Sequence, residues 1–146
     1  MPTTSATGRP RQAGFTLIEM LAVLAITAAI AALVFPSFER AMDAAALSRA
    51  ASWLQGDLRW ARGRALATGA PQTIALASDG SAWAWSGGDA RRLPAPVRLT
   101  LASTTPIAFF RDGSAVGGTL ALSAGGRAAV VYVTTAGVVY APEAQR

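Results

Sequence analysis

Residues 15–35, FTLIEMLAVLAITAAIAALVF, form an apolar run in which only Thr16, Glu19 and Thr27 are polar. A helix of this length, at 1.5 Å per residue, spans about 30 Å, the thickness of a bilayer core. The run is rich in Ala and Leu and holds neither Gly nor Pro, so nothing inside it interrupts a helix. It reads as a transmembrane helix over 15–36, with Pro36 ending the membrane segment in a kink or break, because proline lacks an N–H and fixes φ. Residues 1–14 are polar and carry Arg9 and Arg11 without an acid. Positive flanks stay in the cytoplasm. The N-terminus is therefore expected to be cytoplasmic and the remainder outside after a single pass, which is the inner membrane and the periplasm if the host is Gram-negative. The alternative is a secretory signal peptide cut after a small-x-small triplet such as Ala29-Ile30-Ala31. Against it, the run is longer than a signal core, holds an acid, and is followed by further helical pattern.

Glu19 is the residue that the apolar run does not explain. An ionised carboxylate inside a membrane helix costs roughly 2.5–3.5 kcal/mol on insertion scales. Close to the cytoplasmic end it can snorkel to the headgroups, and near a helix start it meets the positive end of the helix dipole. A cut just before Phe15 would create an α-amine one helical turn away, able to pair with Glu19 of a neighbouring subunit.

The segment Gly14-Phe15-Thr16-Leu17-Ile18-Glu19-Met20, followed by an apolar helix, resembles the class III signal of type IV pilins and type II secretion pseudopilins. The resemblance implies that a prepilin peptidase removes residues 1–14 as a leader by cutting between Gly14 and Phe15, and that Phe15 is then N-methylated. It makes Glu19 the assembly carboxylate and accounts for a proline at position 36. The apolar helix is retained, so the anchor persists.

Beyond Pro36 a second helical stretch is expected over 37–68. Phe38, Met42, Ala45/Ala46, Ala50, Trp53/Leu54, Leu58, Ala61 and Ala65 recur at threes and fours. Gly69 and Pro71 then stop it. Over 72–141 Gly, Thr and Val replace Ala and Leu. Short strands are expected at 72–77, 81–85, 97–101, 107–111, 119–123, 128–134 and 138–141. Asp79-Gly80, Asp112-Gly113, Gly125-Gly126 and Ala136-Gly137 supply the turns. The fold class is α+β: a long N-terminal helix, half membrane and half amphipathic, packed on an antiparallel β-sheet head at 37–146.

Composition narrows the chemistry. The chain has no Cys and no His, and all thirteen of its basic side chains are Arg. Thiolate and imidazole chemistry, the common metal ligands and Schiff-base lysines are thereby removed. No enzymatic activity, cofactor or metal is expected. Arg59, Arg62 and Arg64 beside Trp60 could meet phosphates but more often form a solvated helix face, and Arg91-Arg92 is too short a run to argue from. Trp53 and Trp60, seven apart, share a helical face and are expected in the core. Trp83 and Trp85 share one strand face, where core and subunit contact are both open. Asp79 and Asp112 precede Gly in turns, a backbone preference. Gly87-Gly88 and Gly117-Gly118 carry no phosphate-loop pattern.

The head resembles one branch of the family. Ile107-Ala108-Phe109-Phe110-Arg111-Asp112-Gly113-Ser114 with Gly117-Gly118-Thr119-Leu120, and the helix piece Asp57-Leu58-Arg59-Trp60-Ala61-Arg62, are similar to the H-type minor pseudopilin of type II secretion systems. That resemblance implies a subunit at the tip of a short periplasmic filament that supports export of folded proteins across the outer membrane. Its expected partners are other minor and major pseudopilins, the prepilin peptidase, the inner-membrane secretion platform and membrane lipid. Type IV minor pilins of the FimT kind share this head and provide the alternative, a role in pilus assembly or DNA uptake. Their DNA-binding members carry Gly-Arg-x-Arg near the C-terminus. Here the matching place reads Gly137-Val138-Val139-Tyr140, so nucleic acid is not an expected partner.

Overall fold

The structure, a computed structural model, describes residues 15–103 and 105–142. The chain divides into two compact units, Met1–Ser37 and Phe38–Arg146. One helix, α1 (Leu17–Thr68), contributes to both and contains Pro36. Of the kink or break expected there, the break is absent.

In the first unit the described residues are exposed apart from the half-buried Ala31. Leu17, Ile18, Leu24, Leu33 and Phe35 all present their side chains outward. This segment has the length and composition to cross a membrane. Two of its hydroxyls are satisfied locally. The Thr27 hydroxyl donates to the Val23 carbonyl at 2.7 Å, and Ser37 Oγ to the Val34 carbonyl at 2.8 Å. Such back-bonding leaves neither of these hydroxyls requiring a partner from lipid.

Among the described residues the second unit is built from the rest of α1 and nine short strands: β1 (Gln72–Leu76), β2 (Ala82–Trp85), β3 (Arg91–Arg92), β4 (Arg98–Leu101), β5 (Ala108–Phe109), β6 (Ala115–Val116), β7 (Gly118–Ala124), β8 (Arg127–Val133) and β9 (Val139–Tyr140). They form two sheets, ordered β3-β2-β1-β5-β6 and β4-β7-β8-β9. Every pairing is antiparallel. The turns lie at the four expected places. Strands β3 and β6 were not expected, because two residues of Arg-Arg or Ala-Val show no alternation from which to read a strand. The division into two sheets was equally invisible, since register is set by partners distant in sequence.

Alternation places one face of each longer strand inward. Ile74, Trp83, Trp85, Leu99, Leu120, Leu122, Val131 and Val133 are buried and share one core with the helix residues Ala46, Leu47, Ala50, Ala51, Leu54, Leu58, Ala61 and Ala65. The helical stripe differs from the expected one at its edges. Leu47 and Ala51 belong to it, whereas Phe38, Met42, Ala45 and Trp53 are exposed. Trp53 lies about 100° around the helix from Leu54, and Trp60 about 120° on the same side. The pair therefore shares a face, as expected, but one beyond the core: Trp53 is 43% and Trp60 53% exposed. A mostly Ala-lined stripe lets the strands approach the helix backbone closely, and two indoles would hold them off.

Candidate functional site

The N-terminal constellation is built by the start of α1. Thr16 is its N-cap. Thr16 Oγ1 accepts a hydrogen bond from the Glu19 backbone N–H at 3.2 Å, and the Thr16 carbonyl accepts from Met20 N–H at 3.2 Å. Thr-x-x-Glu is a capping-box spacing, which puts Glu19 at the third helical position, where the positive end of the helix dipole favours a carboxylate. That signal was present in the sequence and gives Glu19 a local structural reason beside its expected role in assembly. Phe15 and Glu19 are both exposed. Gly14, with the whole expected leader 1–14, lies outside the described residues.

In the head, the Arg stretch separates into three different environments. Arg62 is half-buried: its Nε donates to the Gly113 carbonyl at 3.0 Å and its Nη2 to the Ala136 carbonyl at 3.2 Å. It ties α1 to the β5–β6 and β8–β9 turns. Arg64 lies over the Trp60 ring, 5.2 Å from its centroid, as a guanidinium does on an indole face. Arg59 is exposed. Arg62 and Arg64 are thus committed to different partners.

Asp57 is a junction that the sequence did not single out. Its Oδ2 accepts from the Trp83 indole N–H at 3.0 Å and pairs with Arg91 Nε at 2.9 Å. Burial of the Trp83 ring demands a partner for its N–H, and α1 supplies it from the flank of the apolar stripe. Trp83 and Trp85 are both buried, which decides between the two placements left open for them. Trp85 packs on Phe109 with ring centroids 6.3 Å apart.

Asp79 and Asp112 do what turn aspartates do. Asp79 Oδ1 accepts from the Ser81 hydroxyl at 2.7 Å and the Ser81 N–H at 3.0 Å. Asp112 Oδ1 does the same with Ser114, at 2.6 and 3.0 Å. The serine hydroxyl, then the serine N–H, holds each carboxyl below its ordinary value of 3.8. Gly117-Gly118 sits where β6 passes into β7, against Val133 and Ile107. Val139 and Tyr140 form β9, an edge of its sheet, with Val138 just before it and Tyr140 stacked on Tyr132 at 5.2 Å. Among the described residues no group of three or more His, Cys, Asp or Glu could hold a metal ion.

Comparison with known proteins agrees with this architecture. Residues 9–35 match the prokaryotic N-terminal methylation motif. The chain is 33% identical over 119 residues to type II secretion system protein H of Xanthomonas campestris pv. campestris, an alignment covering 75% of this chain and 70% of that protein. Among solved structures, the minor pseudopilin EpsH from the type 2 secretion system of Vibrio cholerae superposes with a TM-score of 0.57 at 12% identity, over 66% of this chain and 95% of that one. The type IV minor pilin FimU of Pseudomonas aeruginosa superposes with a TM-score of 0.55 at 20% identity, over 67% and 93%. The two likenesses establish a shared fold: one long helix with antiparallel sheets.

Proposed function

This chain belongs to the type II secretion system protein H family of pilin-like proteins, and from that membership we propose that it is a minor pseudopilin supporting export of folded proteins across the outer membrane. It has a minor-pilin-like role and is anchored by a single apolar helix. The finer proposal is that the anchor crosses the inner membrane with its N-terminus cytoplasmic and its head, 37–146, periplasmic. The prepilin peptidase cuts between Gly14 and Phe15 and methylates Phe15. Glu19 then pairs with the Phe15 α-amine of an adjacent subunit, and Pro36 marks the exit of the helix from lipid. The subunit stands at the filament tip with other pseudopilins, above the inner-membrane platform, and works by contact rather than catalysis.

The observation that carries this is the reach of the relationship to protein H. Its 119 aligned residues cannot fit within the apolar unit, so they take in the head. A methylation motif at 9–35 is common ground for pilin-like chains, whereas the head distinguishes one kind from another. The rival is a FimT-like minor pilin role in pilus assembly or DNA uptake, favoured by the FimU-like fold.

Deleting the gene tests the two together. Exported proteins should remain in the periplasm and return to the medium on complementation, while twitching and transformation continue. Loss of twitching with normal secretion would establish the pilus role instead. Mass spectrometry of membrane-extracted protein should find a terminus at Phe15 with one added methyl. A terminus at Ala32 would mean ordinary secretory cleavage and no filament subunit.

A further inference from the structure

We propose that the open edge of β8 takes up an extended segment of another polypeptide as an added strand, in a groove walled by α1. The groove has a volume of about 810 Å³. Residues 126–130 form one side of it, and Ala44, Leu47, Ser48, Ala51, Ser52 and Gln55 of α1 form the other. Strand β9 pairs with β8 only at Tyr132 and Val133, so the first part of β8 has β7 on one side and no strand on the other. Ala141 and Pro142, which continue β9, also line the groove and mark it as lying on that open side.

The direction of the backbone groups follows from the ladders. Successive residues of an antiparallel strand turn their N–H and C=O to opposite sides. Thr134 N–H donates to the Val138 carbonyl at 3.0 Å, so Tyr132, Val130 and Ala128 also face the β9 side. On the far side of β7, Ala102 N–H donates to the Thr119 carbonyl at 2.9 Å. That turns Leu120, Leu122 and Ala124 toward β8, where they meet Val131, Ala129 and Arg127. Tyr132 meets Tyr140. Two residues further in the same register Val130 would meet Pro142, which has no N–H to give, and β9 ends at Tyr140. The N–H and C=O of Ala128 and Val130 thus have no hydrogen-bond partner among the described residues. Ala128 is exposed and Val130 half-buried, so both are within reach of a ligand. An unpaired edge of this kind is a template for a further strand.

The walls select the segment. Residues 127–130 make roughly 14 Å of strand, and residues 44–55 make roughly 16 Å of helix, so about four extended residues fill the groove. Ala129 packs against the core, and the residue opposite it shares its face. That residue meets Ala44, Leu47 and Ala51 and must be small and apolar. Arg127 is the only charged side chain in the lining and has no ion pair among the described residues. Asp43 lies against Gly125 in the turn beyond, outside the lining. A carboxylate opposite Arg127 completes the fit. In an antiparallel Val-Ala-Val-Glu segment the valines exchange hydrogen bonds with Val130 and Ala128, the alanine faces α1, and the glutamate meets Arg127.

The test uses the full chain in detergent micelles, labelled with ¹⁵N, and the peptide acetyl-Val-Ala-Val-Glu amide. The peptide should shift the backbone amide signals of Ala128 and Val130 saturably. N-methylation of either valine removes a donor aimed at β8 and should weaken binding about tenfold. N-methylation of the alanine, whose N–H points away from β8, should leave it within about threefold. Lys in place of the Glu should weaken binding, by a margin that narrows with added salt. Ala128→Pro removes an N–H on the open side only and leaves the β7 ladder whole. It should weaken the Val130 response about tenfold, with the Trp83 indole signal, held by Asp57, unchanged as the measure of an intact head. No saturable shift, equal loss with all the N-methylated peptides, equal binding of the Lys peptide, or an unchanged response in Ala128→Pro would overturn the proposal. A response that appears only when residues 143–146 are removed would overturn it in favour of the chain's own tail. Shifts of Ala128 and Val130 that grow with protein concentration, without peptide, would overturn it in favour of a second copy.

Discussion

Glu19 shows how one residue can answer to two demands. Its backbone N–H completes the Thr16 cap, and its carboxylate lies at the end of the helix that favours negative charge. Neither contact needs a second subunit. Glu19→Val retains the backbone N–H and removes the desolvation cost, so membrane insertion and processing should persist at wild-type levels by fractionation and mass spectrometry. Secretion into the medium should be lost, because the expected partner of the Phe15 amine is gone. Wild-type secretion by this variant, at native expression in a strain lacking the gene, would reduce Glu19 to its capping position. Asp57 is the corresponding residue in the head. Asp57→Ala leaves the buried Trp83 N–H and the Arg91 guanidinium without their shared partner and should destabilise the head by about 1–3 kcal/mol in denaturant unfolding. In a Trp83→Phe background, where no indole N–H is orphaned, the same substitution should cost measurably less.

At the level of elements, the turns are held by side chains as well as by glycine. Arg62 spans from α1 to two turns, and the space it occupies is set by Gly137, which has φ +73°. A Cβ there would collide with the Gly113 carbonyl and lie 2.8 Å from Arg62 Nε. Gly137→Ala should therefore cost more than its backbone strain alone, displacing Arg62 as well. Arg62→Met, which frees two carbonyls, should destabilise by about 1–2 kcal/mol. Arg59→Met, on the exposed face, should stay within about 0.5 kcal/mol. The two Asp-x-Ser turns make a pH prediction. Asp79 and Asp112 have folded values depressed by Ser81 and Ser114. Their contribution is fully present above the ordinary aspartate value of 3.8 and is lost as pH falls through the lower folded values. Unfolding midpoints should be less acid-sensitive below pH 4 in the Asp79→Asn/Asp112→Asn double variant than in the wild type.

The whole molecule combines an apolar anchor with a head that lacks a concentrated charge. Its formal net charge is +5 over 146 residues, but Arg62 and Arg64 engage different neighbours, and Val138 and Tyr140 are exposed at and beside the β9 edge. A protein that grips duplex DNA by several phosphates loses affinity steeply with salt. The processed chain in detergent should bind duplex DNA weakly and without sub-micromolar affinity at physiological ionic strength, as measured by fluorescence anisotropy. Tight binding lost on replacing Arg59, Arg62 and Arg64 together would restore the DNA-uptake role.

Local pattern alone determined the anchor, the helical stretch to Thr68, the four turns and the strand-rich second half. Each depends on neighbours within a few residues: continuous apolarity, spacing of three and four, a Gly after an Asp. The motif Gly14-Phe15 with Glu19 also carried the resemblance to the family, because its residues lie within one short stretch of sequence. Tertiary structure decided everything that depends on which distant segment comes alongside. It separated the strands into two sheets and recruited Arg91–Arg92 and Ala115–Val116 as edges. It put Trp83 and Trp85 inside while leaving Trp53 and Trp60 outside. Spacing of seven tells which helical face two residues share, but only the strands packed against α1 determine whether that face is covered. The same limit hid Asp57, whose partners are 26 and 34 residues further along the chain, at Trp83 and Arg91.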